Sequence, residues 1–440
     1  MSPLLTIDLP AVLTASCVAA TCAVLGTFLL LRRASLLGDA VSHSVMPGLV
    51  AAFILTQSRD PLAMFVGGAS AGLAAALLAE VIRRHARTDA GTAMGVVFPV
   101  AFAVGIVMLR YAESRGPVDL DADCVLFGEL SRIIWAPPPD APWLSARGLA
   151  ALPRELVVAA AVLVVSLAAV GLMFKELTLA SFDESYAHAA GLRPGWVHAG
   201  LIALTACAVV SAFEAVGSIL VIALLICPPA AARMFTDRLR PQIAIAAGFG
   251  VASAVLGYIL AGFAPGAILG IPSLSPSGMI AACSGVFLAG AILAAPGHGL
   301  IARRLRRLAL AVRIAHEDLL ATLYRANEGG PPHAPTPVHP PMIRRLALRR
   351  AGNLGHVTTG SSPSLTSAGA ALAGEIVRSH RLWERFLVDR AGLRPDQVHA
   401  AALDLEHVRR GAGGDRLVPD PPDDLMDPHD RPIPSPPQNR

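Results

Sequence analysis

Apolar runs long enough to cross a bilayer recur along the first 300 positions of the chain, divided by short polar or basic connections. The pattern predicts spans at roughly Ala11–Leu31, Gly38–Leu55, Pro61–Ile82, Gly91–Leu109, Leu156–Phe174, His198–Ala212, Val216–Ala232, Ile243–Phe263 and Met279–Ala295, about nine by hydropathy with an uncertainty of one. Gly67, Gly68 and Gly72 suit close helix approach in lipid. From Ile301 onward Arg, His, Asp and Pro dominate and no further apolar run is long enough to span. The expected fold is all-α: a polytopic transmembrane bundle over 1–300, of about eight or nine spans, then a small, mainly helical cytosolic domain over 301–440.

Two connections exceed what a turn requires. Ala112–Arg154 carries Pro137-Pro138-Pro139 and acidic residues, as an external loop would. Phe174–Gly195, FKELTLASFDESYAHAAGLRPG, mixes charge with Ala and Gly and predicts a short helix on the membrane surface, where a partner could push.

Composition and charge sharpen this picture. Of 440 residues, 54% are hydrophobic and 15% charged, where soluble proteins average about 25% charged. Basic clusters at Arg32-Arg33, Arg83-Arg84 with Arg87, Arg233 with Arg238 and Arg240, and Arg303-Arg304 with Arg306-Arg307 predict cytoplasmic loops. The last of them leads into the C-terminal part, which is therefore expected in the cytosol. An odd span count then puts the N-terminus outside, and the first apolar run reads as a retained span. Cys17, Cys22, Cys207, Cys227 and Cys283 fall in apolar runs and Cys124 in a loop, with neither a disulfide framework nor a CxxC clip.

Candidate chemistry begins at LLGDAVSHSVMPG. Asp39 and His43 are four apart and share a helical face. Pro47 cannot donate to the carbonyl of His43 and leaves that oxygen free. Ionisable residues at membrane depth mark pathways, and carboxylate with imidazole suits divalent first-row metals; a polar pair that only fixes packing near a helix end is the other reading. Glu214, at the junction of two apolar runs, is either a third pathway residue or a solvated turn residue. Cys227-Pro228-Pro229 reads as a kink with a buried thiol.

LLGDAVSHSVMPG, FKELTLASFDESYAHAAGL and AVGSILVIALLICPPAAARM, in this order, resemble the permease subunit of the manganese/zinc/iron ABC importer family, over about Leu4 to Leu300. TDAGTAMGVVF and LFGEL fit it as well. The resemblance implies a non-catalytic subunit of a bacterial inner-membrane transporter, working as a homodimer with a cytosolic ATPase and an extracytoplasmic metal-binding protein. Asp39, His43 and Glu214 would line the metal pathway, and Phe182, Asp183, Ala187 and Gly191 would form the segment that docks in the ATPase. FEAVGSILV is closer to the manganese/iron branch than to the zinc branch. The chain has no GxxxxGK[ST] loop and so no nucleotide site of that kind.

The C-terminal part has a metal vocabulary of its own. His380 and Glu384 are spaced i,i+4, and His399 lies two turns before Glu406 and His407, a set adequate for Mn, Fe, Co or Zn; solvated amphipathic helices would carry the same residues. SHRLWERFLV, VHAAALDLEHV and DPHDRPIP resemble the metal-binding and dimerisation domain of the iron/manganese-dependent repressors, which implies ligand positions at His380, Glu384, His399, Glu406 and His407. HEDLLATLY resembles the first helix of their winged helix and adds Asp318. By this resemblance 313–370 is a degenerate winged helix, 371–410 holds the metal-binding and dimerisation helices, and 411–440 is a Pro-rich tail. Leu403 stands where that family has a ligand. RANEGGPPHAPTPVHPPM, with six prolines, replaces the helix-turn-helix and argues against DNA reading.

The expected function is therefore a permease for manganese or iron before zinc, fused to a metal-sensing domain. A membrane-tethered metal-dependent regulator and an ion-coupled secondary carrier are the rival readings.

Overall fold

A computed structural model describes residues 4–32, 34, 37–58, 60–114, 130–136, 145–268, 274–329, 338–358, 363–408, 418–419 and 426–435. The chain divides into two compact units, Met1–Ala302 and Arg303–Arg440. The division falls inside one continuous helix rather than in a linker.

The first unit is a helical bundle. A π-turn at Leu4–Asp8 leads into α1 (Leu9–Leu31), followed by α2 (Leu37–Thr56), α3 (Pro61–Ala86) and α4 (Ala90–Glu113). After α5 (Ala146–Ala150) and α6 (Arg154–Leu172) come two short helices, α7 (Phe174–Phe182) and α8 (Glu184–Ala189). Then α9 (Pro194–Val216), α10 (Ser218–Phe235), α11 (Leu239–Ile268) and α12 (Pro276–Ala294) complete it. Eight helices among the described residues are long and apolar enough to cross a membrane; within α2 only the shorter apolar stretch Ser44–Thr56 qualifies as apolar helix.

Burial sorts the spans. The α1 span is 72% buried and the Arg154–Leu172 span only 22%, so α1 sits at the centre and α6 at the rim. Phe28, Leu25 and Leu29 of α1 pack in one core with Ile202, Leu220, Leu224 and Ile280. Val66, Val107, Val164 and Phe263 point outward, as lipid-facing side chains do.

Contact between α2 and α3 is close because both carry glycine at the crossing. A Cβ at Gly67 would meet the Gly48 carbonyl oxygen at 2.5 Å and the Ala52 Cβ at 2.6 Å. On the other side, Pro47 packs on Gly105 of α4, so the proline-containing middle of α2 is held between two neighbours. Gly67→Val therefore separates α2 from α3 at a cost of about 1–3 kcal/mol and lowers Tm by about 3–10 °C, read by a thermal scan of the purified protein.

The second unit is built from α13 (Leu300–Glu328), α14 (Pro341–Asn353), a two-stranded antiparallel hairpin of β1 (Val357–Thr358) and β2 (Ser364–Leu365), α15 (Ser367–Asp389) and α16 (His399–Leu405). Leu320, Ala351, Val357, Ile376 and Val377 make its core. The sequence expectation of disrupted helices between Tyr324 and Ile343 needs adjustment at both ends. Helix α13 continues to Glu328, and α14 already begins at Pro341, where a proline in the first turn lacks only an amide that the helix does not use.

Candidate functional site

Helix α15 positions the first group of polar side chains. Its spacing puts His380 and Glu384 on one face, and His380 Nε2 meets Glu384 Oε1 at 2.8 Å. His399 opens α16 and turns back to the same carboxylate, Nδ1 to Oε1 at 2.6 Å. His380, Glu384 and His399 form one potential metal-binding triad.

The second group joins α13 to the end of α16. Asp318, Glu406 and His407 form another triad, with ligand atoms within 4.8 Å of one another. The Asp318 carboxylate contacts His407 Nε2 through Oδ1 at 3.0 Å, and His339 Nε2 through Oδ2 at 2.6 Å. His407 Nδ1 contacts Glu317 Oε2 at 2.9 Å. The two triads touch, because His380 Nδ1 lies 2.7 Å from Glu406 Oε2.

All the carboxylates here are buried: Glu406 is 0% exposed, Glu317 and Glu384 2%, Asp318 5%. Buried charge requires compensation. Burial alone would push His407 down, but its contacts with Asp318 and Glu317 win and raise it to about 9. Burial would likewise raise Glu384, but hydrogen bonds and charge from His380 and His399 hold it at about 2. His380 is raised above its ordinary value, since Glu384 and Glu406 outweigh its burial. Without metal, then, imidazolium protons balance the carboxylates. A divalent cation can replace two such protons without changing the charge of the pocket. Carboxylates and imidazoles, with no thiolate, form a donor set that fits Mn, Fe, Co or Zn.

Arg381 fixes the surrounding wall. It forms an ion pair with Glu328 of α13, lies 3.5 Å from Asp427 and donates to the Pro432 carbonyl at 2.7 Å. Asp427 Oδ1 accepts from the amides of His429 and Arg431, closing the DPHDRPIP turn, and His429 stacks on His399 at 4.7 Å. A separate pair, His316 and His356, has Nε2 3.2 Å from Nδ1, and burial with the nearby His356 and Arg350 charges lowers His316 to about 4.

The first unit has its own candidate segment. In place of one surface helix, the structure has α7 and α8 meeting at an extended Asp183, with φ −148° and ψ 97°. Asp183 caps α8 by accepting from the Tyr186 amide at 2.8 Å. Ala187 is fully buried, and Gly191, at φ 80°, ends the turn where an L side chain would be strained. Three of the four residues singled out in this segment thus make the bend. The fourth, Phe182, is 59% exposed, as is Tyr186, which the sequence reading did not single out.

Behind the bend lies a cavity of about 610 Å³ lined by Arg32, Glu80, His198, Ser181 and Phe182 among others. Arg32 donates to Ser181 Oγ at 3.1 Å and to His198 Nδ1 at 2.9 Å. Glu80 holds Arg83 through two hydrogen bonds of 2.7 and 2.8 Å. Polar contacts thus tie α7 to α1 and α9.

Asp39 and His43 lie on α2, and Glu214 in the last turn of α9 rather than in the connection between two helices; the side chains of all three are outside the described residues. The helix ends at Gly217, with φ 77°, and α10 starts one residue later. Two residues of the second unit were missed by sequence reasoning, Glu317 and His339. Glu317 is adjacent to Asp318, and His339 is an imidazole fixed between Val338 and Pro340 in an otherwise apolar stretch, which is the only local signal it gives.

Comparison with known proteins agrees with this architecture. The ABC 3 transport family matches residues 6–135 and 148–294, and the metal binding and dimerisation domain of the iron dependent repressor matches 366–435. The manganese transport system membrane protein MntD of Bacillus subtilis is 36% identical over 66% of this chain and 93% of its own length. The zinc transport system membrane protein TroD of Treponema pallidum is 36% identical over 68% of this chain and 77% of its own. Among solved structures, PsaBC from Streptococcus pneumoniae in complex with Fab matches with a TM-score of 0.51 at 28% identity, covering 66% of this chain and 91% of that one. A bundle with eight helices among the described residues long and apolar enough to cross a membrane, with the matched residues running through it and the two triads following, identifies the chain as a multi-pass member of the ABC 3 transport family that carries an iron dependent repressor metal binding and dimerisation domain.

Proposed function

We propose that the chain is the permease subunit of an ATP-driven importer of a divalent transition metal, manganese or iron before zinc, and that its C-terminal unit lies in the cytosol and senses the same metal. One observation carries this reading: a transport-family bundle and two His–carboxylate triads, with their carboxylates buried, occur in a single chain. Family membership supports a homodimer driven by a separate ATPase and supplied by an external metal-binding protein. The relatives' names include both manganese and zinc systems at equal identity, so the preference rests on chemistry. Three buried carboxylates around His407 suit manganese or iron better than a thiolate-rich site suited to zinc would. Asp39, His43 and Glu214 serve as the pathway residues. In cells deleted for other importers, labelled manganese uptake through this chain is competed by manganese and iron more strongly than by zinc. Stronger competition by zinc contradicts the preference.

The bend at Asp183 is the docking segment, and its exposed rings are the anchors. Buried aromatic anchors at interfaces are each worth about 1–4 kcal/mol. Phe182→Ala with Tyr186→Ala therefore lowers co-purification of the ATPase about tenfold or more and uptake with it, while the variant folds normally. Unchanged ATPase association places docking elsewhere.

A further inference from the structure

The geometry points to His339 as a ligand of the metal held by Asp318, Glu406 and His407, so that the segment leading into α14 is fastened to the site by the metal. This inference rests on reading the C-terminal unit as a metal site and adds to it a residue from outside the helices that build it. His339 Nε2 lies 2.6 Å from Asp318 Oδ2, while the other oxygen of the same carboxylate holds His407 at 3.0 Å. Asp318 thus has an imidazole on each side. A cation bound at its carboxylate replaces the proton in each of these contacts and draws both nitrogens toward itself. His407 Nε2 is also 3.6 Å from Glu406 Oε1, so the site joins α13 to the end of α16, and His339 brings the segment before α14 to it through Asp318.

The backbone around His339 is suited to this task. Pro340, with φ −52° and ψ 142°, is extended, and Pro341 begins α14. A residue that precedes proline is itself pushed to extended conformations. The reach of His339 is therefore restricted before metal binds, and less entropy is lost on fixing it. Its side chain is 21% exposed, against 5% for Asp318, which places it at the mouth of the pocket. There a ligand can bind last and leave first. Helix α14 presents Arg344, Arg345, Arg349 and Arg350, so metal occupancy sets whether this basic helix is held at its first turn.

The test uses the full-length chain in lipid nanodiscs with Mn²⁺ as the probe, binding measured by calorimetry and bound nitrogens by pulsed EPR. Glu406→Ala with His407→Ala serves as the reference that removes the site. Loss of even an outer partner of a metal ligand typically costs about 10–100-fold in affinity. His339→Ala is expected to weaken by about tenfold or more the binding that the reference variant removes, and to delete one imidazole nitrogen signal. Weakened binding with the nitrogen signals unchanged overturns the inference, since His339 would then act only through Asp318. Equal binding with equal signals also overturns it and leaves the site itself standing. If the reference variant binds Mn²⁺ like the wild type, the reading of the unit as a metal site falls and the inference falls with it.

Discussion

If, as we propose, metal bound by the second unit damps uptake, Glu406→Ala combined with His407→Ala is expected to leave metal uptake running but free it from inhibition by internal metal. These residues belong to the second unit, and the spans that carry cargo belong to the first. Glu406 is completely buried and contacts His380 at 2.7 Å, so its loss affects both triads at once. Removing two donors from a buried site lowers affinity by about 100-fold or more, judged from about 10–100-fold for a single supporting group. The variant also takes the His407 contact from Asp318 and Glu317 and the Glu406 contact from His380, and part of the unit's stability goes with them. Initial uptake rates measured against rising internal manganese distinguish the cases. The wild type slows and the variant does not; equal slowing of both removes feedback from the account.

Asp39→Asn combined with His43→Gln abolishes uptake, by about 100-fold or more, without harming the fold. Both positions lie on α2, the helix that carries Pro47 and is held between Gly67 of α3 and Gly105 of α4. An ionisable group at membrane depth costs about 2.5–3.5 kcal/mol on insertion scales. A group that served packing alone would be cheaper as its neutral isostere. The double variant should therefore be at least as thermally stable as the wild type while transporting nothing. A drop in Tm with uptake retained would make the pair structural.

Much of the architecture was legible because lipid leaves a strong signature. Apolar runs of about 20 residues have few alternatives to helix in a bilayer, and eight of the nine expected spans coincide with helices long and apolar enough to cross, while the expected Gly38–Leu55 span falls on α2, whose apolar stretch among the described residues is the shorter Ser44–Thr56. Glu214 moved from a presumed connection into α9, because Gly217 at positive φ breaks the helix and lets α10 start at once. The bend between α7 and α8 was visible as a charged interruption, but its division at Asp183 depends on a capping bond that only three-dimensional structure reveals. In the second unit the i,i+4 spacing of His380 and Glu384 made one face of α15 readable. The partition into two triads was not, since it depends on α13 meeting the end of α16 about 90 positions later. Glu317 and His339 were hidden for the same reason: sequence separation says nothing about which helix a proline-rich segment returns to.

The most direct test of the central claim is manganese accumulation in vesicles reconstituted with this chain and its ATPase, with ATP supplied on the ATPase side and the metal-loaded binding protein on the other. The account predicts accumulation that requires ATP and is lost in the Asp39→Asn, His43→Gln protein. Accumulation that proceeds without the ATPase, or that is equal in wild type and variant, would contradict it.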